Sequence, residues 1–554
     1  MQYVHHELTD AMIDHKQERQ KDIERVLFSK HDRRVVVAGP GTGKSYLFQE
    51  VIKEAKKEGK TNFLAVTFIG KLSDALADEL AGLAETVTLH GLARRIVLEN
   101  CPKGWAYYPD IASIVEEDLA FKKIKKYQVG DDNYKERTKY YKSVGDDDVV
   151  HYALQTLKKN DKAIPRYDLI LVDEFQDFNE SEAQLIDLLS EKNKVLIVGD
   201  DDQALYEFKG SSPRYIREKF HPSNKLFEQH TLRFCSRCTP VIVEAFHSVV
   251  QKSGLSASRK GRINKEYLCY LPDKEEDGRL NPKILLSREI PPGEIPFRIH
   301  SELSAMLKGQ KIKSVLIIGE GRSCKYSLVD IATRLKQVGF KNVDHRSLDT
   351  GQFSLKRPII DGYKYISGGK NELLGWRILL GTMRAAERKK VVLETYDKPE
   401  AFMAHLAVDF KERHERNAGT LRKILTKTRS EISRIGNSTM GELMEQMIEA
   451  RTEDRDLFVD QLVDENRNLA RPLGNLEITV CNILGSKGLG ADVVFLVGFD
   501  QGKLPMKDSV TDSETYQMLV ALTRARKRMY LVNTIGRPVS KFLDFINPDC
   551  FQES

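Results

Sequence analysis

The run AGPGTGKS, Ala38 to Ser45, constrains this chain more than any other feature. It follows the apolar VVVA and precedes YLFQEVIKEAKK, so a glycine-rich turn sits between a buried strand and a predicted helix. Gly39, Gly41 and Gly43, with Thr42 among them, permit a tight backbone whose N–H groups aim at phosphate oxygens. The helix N-terminus adds a favourable dipole. Lys44 is then placed to neutralise the β and γ phosphates of a nucleotide, with ATP expected, and the Ser45 hydroxyl to bind Mg²⁺.

Such a turn belongs to an open α/β sheet, and a second segment supplies its chemical complement. LILVDEFQD, Leu169 to Asp177, reads as a buried strand delivering Asp173 and Glu174 at its carboxyl end, where ligands of parallel sheets bind. Asp173 suits Mg²⁺ through the ion's water shell, and Glu174 suits orienting and deprotonating an attacking water. Two adjacent carboxylates repel one another, and a nearby cation relieves that cost.

The remaining apolar runs extend the pattern. Val35–Ala38, Phe63–Val66, Leu169–Val172 and Lys194–Val198 read as buried parallel strands in the first half. Val315–Ile318, Ile478–Val480, Val493–Val497 and Met529–Val532 do so in the second. The fold class expected is α/β, with two domains of mostly parallel sheet, each carrying a helical insertion. The first domain takes residues 1–107 and 164–224, the second 225–383 and 471–554, and the insertions 108–163 and 384–470. The insertions are rich in charge, with FKKIKKY at Phe121–Tyr127, DDNYKERTKYYK at Asp131–Lys142 and LRKILTKTRSEISR at Leu421–Arg434. Interleaved Lys and Tyr can contact phosphates and stack on bases, and they can equally be solvated helix faces.

At 554 residues the chain is too long for a single core. A hydrophobic share of 41% and a charged share of 30% fit a soluble globular protein. No run of about 18 apolar residues occurs, so no membrane span is expected. MQYVHHELTD lacks a secretory pattern, and seven scattered cysteines suggest a reducing, cytoplasmic setting. The net charge of +6 is only a weak pointer to nucleic acid.

DEFQD resembles motif II of superfamily 1 helicases of the UvrD/Rep type, and further segments follow in that family's order. AVTFIGKLSDAL (Ala65–Leu76), TLHGLARRI (Thr88–Ile96) and VGDDDQALYEFKG (Val198–Gly210) resemble successive motifs of the first motor domain. LRFCSRCTPVI (Leu232–Ile242), SKGLGADVVFLVG (Ser486–Gly498) and LVALTRARKRMYLV (Leu519–Val532) resemble those of the second. The resemblance implies two RecA-like P-loop motor domains and an ATP-dependent single-stranded DNA translocase and helicase moving 3′ to 5′. Gln203 is implied to sense the γ-phosphate, and Arg237 and Arg524 to act as arginine fingers. Gln20 is implied to read adenine, with Gln17 as its rival. Phe68, His90, Tyr206 and Phe208 fall at positions implied to line a single-strand channel.

Four positions depart from the family pattern. Ser236 stands for a tyrosine, Gly490 for a glutamate, Leu484 for a histidine and Gly70 for an asparagine. Cys235 and Cys238 form a CxxC without a second pair, which favours packing over zinc. The resemblance implies a second insertion shorter than in full-size repair helicases, and no nuclease-like extension is expected after Val532. The expected partners are single-stranded or tailed duplex DNA, with a nuclease or another defence or repair protein as a further partner. The alternative expectation is a DNA-stimulated ATPase with a regulatory or sensing role in a nuclease complex.

Overall fold

The computed structural model describes residues 10–68, 70–124, 128, 130–254, 261–319, 328–346, 356–369, 371–425 and 476–554. Its chain divides into two compact units. The first comprises residues 1–89, 164–350 and 474–554; the second comprises 90–163 and 351–473.

Two sheets organise the first unit. One contains β1 (Arg33–Ala38), β2 (Phe63–Thr67), β3 (Glu85–Thr88), β4 (Leu169–Val172), β5 (Val195–Gly199) and β6 (Glu228–Leu232), in the order β3-β2-β4-β5-β1-β6. The other contains β7 (Ile284–Ile290), β8 (Ser314–Gly319), β9 (Val343–Arg346), β10 (Glu477–Asn482), β11 (Ala491–Val497), β12 (Ala525–Thr534) and β13 (Phe551–Glu553). Their order is β9-β10-β8-β11-β12-β7-β13. Every pairing in both sheets is parallel, as expected for strands covered on both faces.

All eight apolar runs coincide with observed strands, to within one residue at Lys194. Missed were β3, β6, β7, β9 and β13, four of which form the sheet edges. An edge strand buries less, so ETVT in β3 and EQHTL in β6 remain largely half-exposed and carry polar side chains.

The second unit is mainly helical, including Ile111–Phe121, Asp132–Tyr141, Val149–Lys159, Glu372–Leu379 and Val408–Leu425. Its core holds a buried ion cluster rather than apolar contacts alone. Arg377 donates to Asp118 at 2.7 Å and to Glu117 at 2.6 Å, while the Tyr141 hydroxyl donates to Asp118 at 2.6 Å. Tyr134 and Tyr141 are buried here. These two tyrosines of the DDNYKERTKYYK segment are therefore packing residues and offer no ring to a base. Residues 125–127 of FKKIKKY, and the basic stretch beyond Leu425, lie outside the described residues.

Candidate nucleotide site

β1 ends at Ala38, and the chain turns through Gly41 and Gly43, at φ 68° and 90°, into helix α2 (Lys44–Lys57). Both angles lie in the left-handed region, so glycine is required. Space demands it as well: a Cβ at Gly41 would meet the Arg237 Cβ at 2.3 Å, and one at Gly39 would meet the Tyr267 ring at the same distance. The Thr42 hydroxyl donates to the Gly39 carbonyl at 2.9 Å and braces the turn. Beside it opens a cleft of about 420 Å³, lined by Lys44, Ser45, Tyr46, Arg237, Lys274 and Arg526 among others.

β4 delivers the two carboxylates to this turn. Lys44 Nζ donates to Glu174 Oε1 at 2.8 Å and stands 4.0 Å from Asp173 Oδ1. Burial pushes the Glu174 carboxyl up, but Lys44 and Lys487 outweigh it and hold the group ionised. Asp173 goes the other way: burial raises it to about 6, and Lys44 only partly opposes this. A hydroxyl oxygen from Ser45 and a buried carboxylate short of positive partners are a hard-oxygen donor set, which fits Mg²⁺.

The second sheet supplies cations to the same place. Arg524, just before β12, sends Nη2 to Gln203 Oε1 at 3.2 Å. Its other donors are anchored on the Val520 and Leu489 carbonyls at 2.9 and 3.0 Å. Burial, with Arg237 nearby, lowers its guanidinium to about 9, as expected of two cations crowded in a desolvated place. Arg237 abuts the phosphate turn through Gly41, and the Ser236 N–H donates to the Gly41 carbonyl at 2.9 Å. Gly490 carries no side chain where a Cβ would sit 3.7 Å from Arg237 Nε and 3.4 Å from Arg526 Nε. The glycine thus leaves the cleft wall cationic at that position.

Gln203 occupies the centre. Its amide donates to Asp200 Oδ2 at 2.6 Å, while its side-chain oxygen accepts from Arg524. Lys487 reaches the Gln203 carbonyl at 3.0 Å and also binds Asp177. Lys44, Asp173, Glu174, Gln203, Arg237 and Arg524, distant in sequence, therefore belong to one charged cluster, with Gln203 and Arg524 buried and the other four partly exposed.

Other anticipated residues are placed differently. Gln20 lies exposed on helix α1 (Asp10–Leu27), its amide donating to Glu24 at 2.9 Å, and Gln17 is also exposed. The residue facing the turn is Arg19, whose Nη2 lies 3.4 Å from the Gly43 Cβ position and whose guanidinium rests 4.5 Å from the Tyr270 ring centroid. Tyr206 is 4% exposed and packs between Phe68 and Phe208 at 5.2 and 6.0 Å. Phe68 is half-buried, whereas Phe208 is 68% exposed and presents an open ring. His90 is half-buried in the helix Leu89–Asn100. Cys235 and Cys238 are buried, and Cys238 Sγ approaches the Thr523 carbonyl at 3.7 Å, a packing role.

Sequence reasoning missed Lys487, Arg526, Arg19, Lys265 and Tyr267. The first two stand inside recognised segments, SKG and TRARK, where a further cation beside the motif was legible. The others lie in stretches without a pattern.

A P-loop, a strand-end carboxylate pair, Arg237 after the short strand Phe234–Cys235 and Arg524 beside the second parallel sheet define a nucleotide-binding protein built on two parallel sheets. A family model described as "UvrD-like helicase C-terminal domain" matches residues 147–535, and one described as "AAA domain" matches residues 23–209. The chain belongs to the UvrD-like helicase family. It is 23% identical over 457 residues to the ATP-dependent DNA helicase Rep of Buchnera aphidicola, covering 69% of this chain and 66% of that protein. It is 34% identical over 87 residues to an ATP-dependent helicase/nuclease subunit of Streptococcus mutans, covering 15% of this chain and 7% of that protein. Exonuclease/helicase subunit RexA of Lactococcus lactis subsp. cremoris is 31% identical over 91 residues, 16% of this chain and 8% of its own length. The chain thus spans at most 66% of the length of these relatives.

Proposed function

We propose that this chain is an ATP-dependent motor on single-stranded DNA, a translocase and helicase moving 3′ to 5′. The observation that carries the proposal is the Arg524–Gln203 contact at 3.2 Å, which ties the second sheet to the first beside Lys44 and Glu174. A triphosphate on the turn would take over Lys44 from Glu174 and leave that carboxylate to accept a proton from water. Arg237 and Arg524 would bind the oxygens on which charge develops, a task suited to a planar, permanently charged fork. Mg²⁺, held by Ser45 and by Asp173 through water, would neutralise phosphate charge. Gln203 touches Arg524 directly, so a change at the γ-phosphate would alter the contact between lobes and move one against the other. Phe208 is the base-stacking platform, supported from below by Tyr206 and Phe68. His90 is a further DNA contact of this reading.

The decisive experiment measures ATP turnover with single-stranded DNA, duplex DNA and RNA, and unwinding of 3′- and 5′-tailed duplexes in parallel. Stimulation by single strands with unwinding of 3′-tailed substrates supports the proposal; turnover indifferent to DNA contradicts it. The names of two relatives, exonuclease/helicase in one and helicase/nuclease in the other, favour a second reading. In it the chain is a DNA-stimulated ATPase within a nuclease complex, and strand stimulation occurs without unwinding by the isolated chain.

A further inference from the structure

Three consecutive aspartates, Asp200, Asp201 and Asp202, follow β5 directly, all with no exposed surface. Among the described residues they are the one group of three or more such side chains close enough to share a metal ion, but protein cations already lie against them. Lys265 Nζ lies 2.8 Å from Asp200 and 3.2 Å from Asp202, and also binds Asp201. Arg262 grips Asp202 with two donors at 2.8 and 2.7 Å. Arg217 donates to Asp201 at 2.8 Å, and the Ile263 N–H does so at 3.1 Å.

Tyr267 completes this arrangement. Its hydroxyl donates to Asp200 Oδ1 at 3.1 Å and to Asp202 Oδ2 at 2.8 Å, while its ring lies against Gly39 of the phosphate turn. Asp200 holds Gln203, and Gln203 holds Arg524. Asp200 therefore has one oxygen shared by Tyr267, Lys265 and the Asp202 N–H, and the other given to Gln203. Fixing the first fixes the direction of the second. The segment carrying Lys265 and Tyr267 continues into Leu268–Cys269, which pairs with Phe234–Cys235 immediately before Arg237. One short segment thus touches the phosphate turn, the carboxylate that holds Gln203 and the backbone that leads to Arg237.

We infer that Lys265 and Tyr267 are positioning residues for ATP hydrolysis, orienting Gln203 through Asp200 and joining it to the phosphate turn. The inference rests on the proposed ATPase. Removing the Tyr267 hydroxyl keeps the ring on Gly39 and leaves Asp200 with Lys265, so the fold is spared while the aim of the carboxylate loosens.

The test is a double-mutant cycle of Tyr267→Phe and Gln203→Ala, reading kcat and KM for ATP with saturating single-stranded DNA. Tyr267→Phe is expected to lower kcat about tenfold with KM within about threefold, and to add nothing in the Gln203→Ala background. Unchanged kcat in Tyr267→Phe, or losses that multiply in the double variant, overturns the inference. A purely structural role would lower the melting temperature and leave the cycle additive, so the melting temperature of each variant is measured alongside. A wild-type chain with no turnover would instead remove the ATPase reading itself.

Discussion

In the proposed function, Lys44 is the residue on which the phosphate chemistry turns. Its ammonium already holds Glu174 at 2.8 Å, so its loss would remove both the proposed phosphate partner and the stronger of the two cationic influences that keep the carboxylate ionised. Lys44→Ala is expected to lower ATP turnover by roughly a thousandfold or more, in a steady-state phosphate-release assay. Arg524 calls for a gentler substitution, because its Nε and Nη1 hold backbone carbonyls. Arg524→Lys keeps the charge but loses the fork. Its kcat is expected to fall roughly a hundredfold or more, with ATP affinity changed only a few-fold. Equal losses in both quantities would count against a finger role. These residues were legible because each stands in a dense, ordered motif. Arg19 was not, since the helix α1 sequence gives no sign of which face meets the turn; the buried Met12, Ile23 and Val26 set that face.

At the scale of elements, the order of packing decides which aromatic and acidic groups can act. Tyr206 and Phe68 were expected to offer rings to DNA on the strength of position alone. Packing makes them mostly the base on which Phe208 stands. Phe208→Ala is therefore expected to raise the single-stranded DNA concentration for half-maximal ATPase stimulation about tenfold or more, consistent with about 1–3 kcal/mol per stacked base. Basal turnover supplies the internal control. The edge strands β3, β6, β9 and β13 escaped the sequence reading for a related reason. Their backbone bonds bring them into the sheet, while their side chains carry no apolar signature. In the second unit, Asp148 before the helix Val149–Lys159 accepts the Gly145 N–H at 2.6 Å. Burial raises its carboxyl from 3.8 to about 7. The folded state thus keeps a proton that the unfolded chain releases. Its stabilising contribution is complete below 3.8 and is lost as pH rises through about 7. Asp148→Asn should accordingly melt later than wild type at about pH 8, by roughly 1–3 kcal/mol, and the gap should close towards about pH 4. A pH-independent difference would contradict the account.

For the whole molecule, the two parallel sheets and their order of motifs were readable because a buried strand followed by a charged turn leaves a strong trace. What the sequence could not convey was how the lobes are wired together. The strap from Arg262 to Tyr270 has no motif, and its meaning comes from three buried aspartates that only the fold brings to it. The same wiring underlies the proposal that one triphosphate is held by Lys44 beside the first sheet and by Arg237 and Arg524 opposite it. Its most direct test is energy transfer between dyes at exposed Lys57, at the end of α2, and exposed Val329, beyond β8 of the second lobe. A non-hydrolysable ATP analogue should change the transfer efficiency in the otherwise unaltered chain, and the change should vanish in both Lys44→Ala and Arg524→Lys. Transfer that ignores the analogue, or that responds equally in all three proteins, would contradict a nucleotide clasped between two lobes.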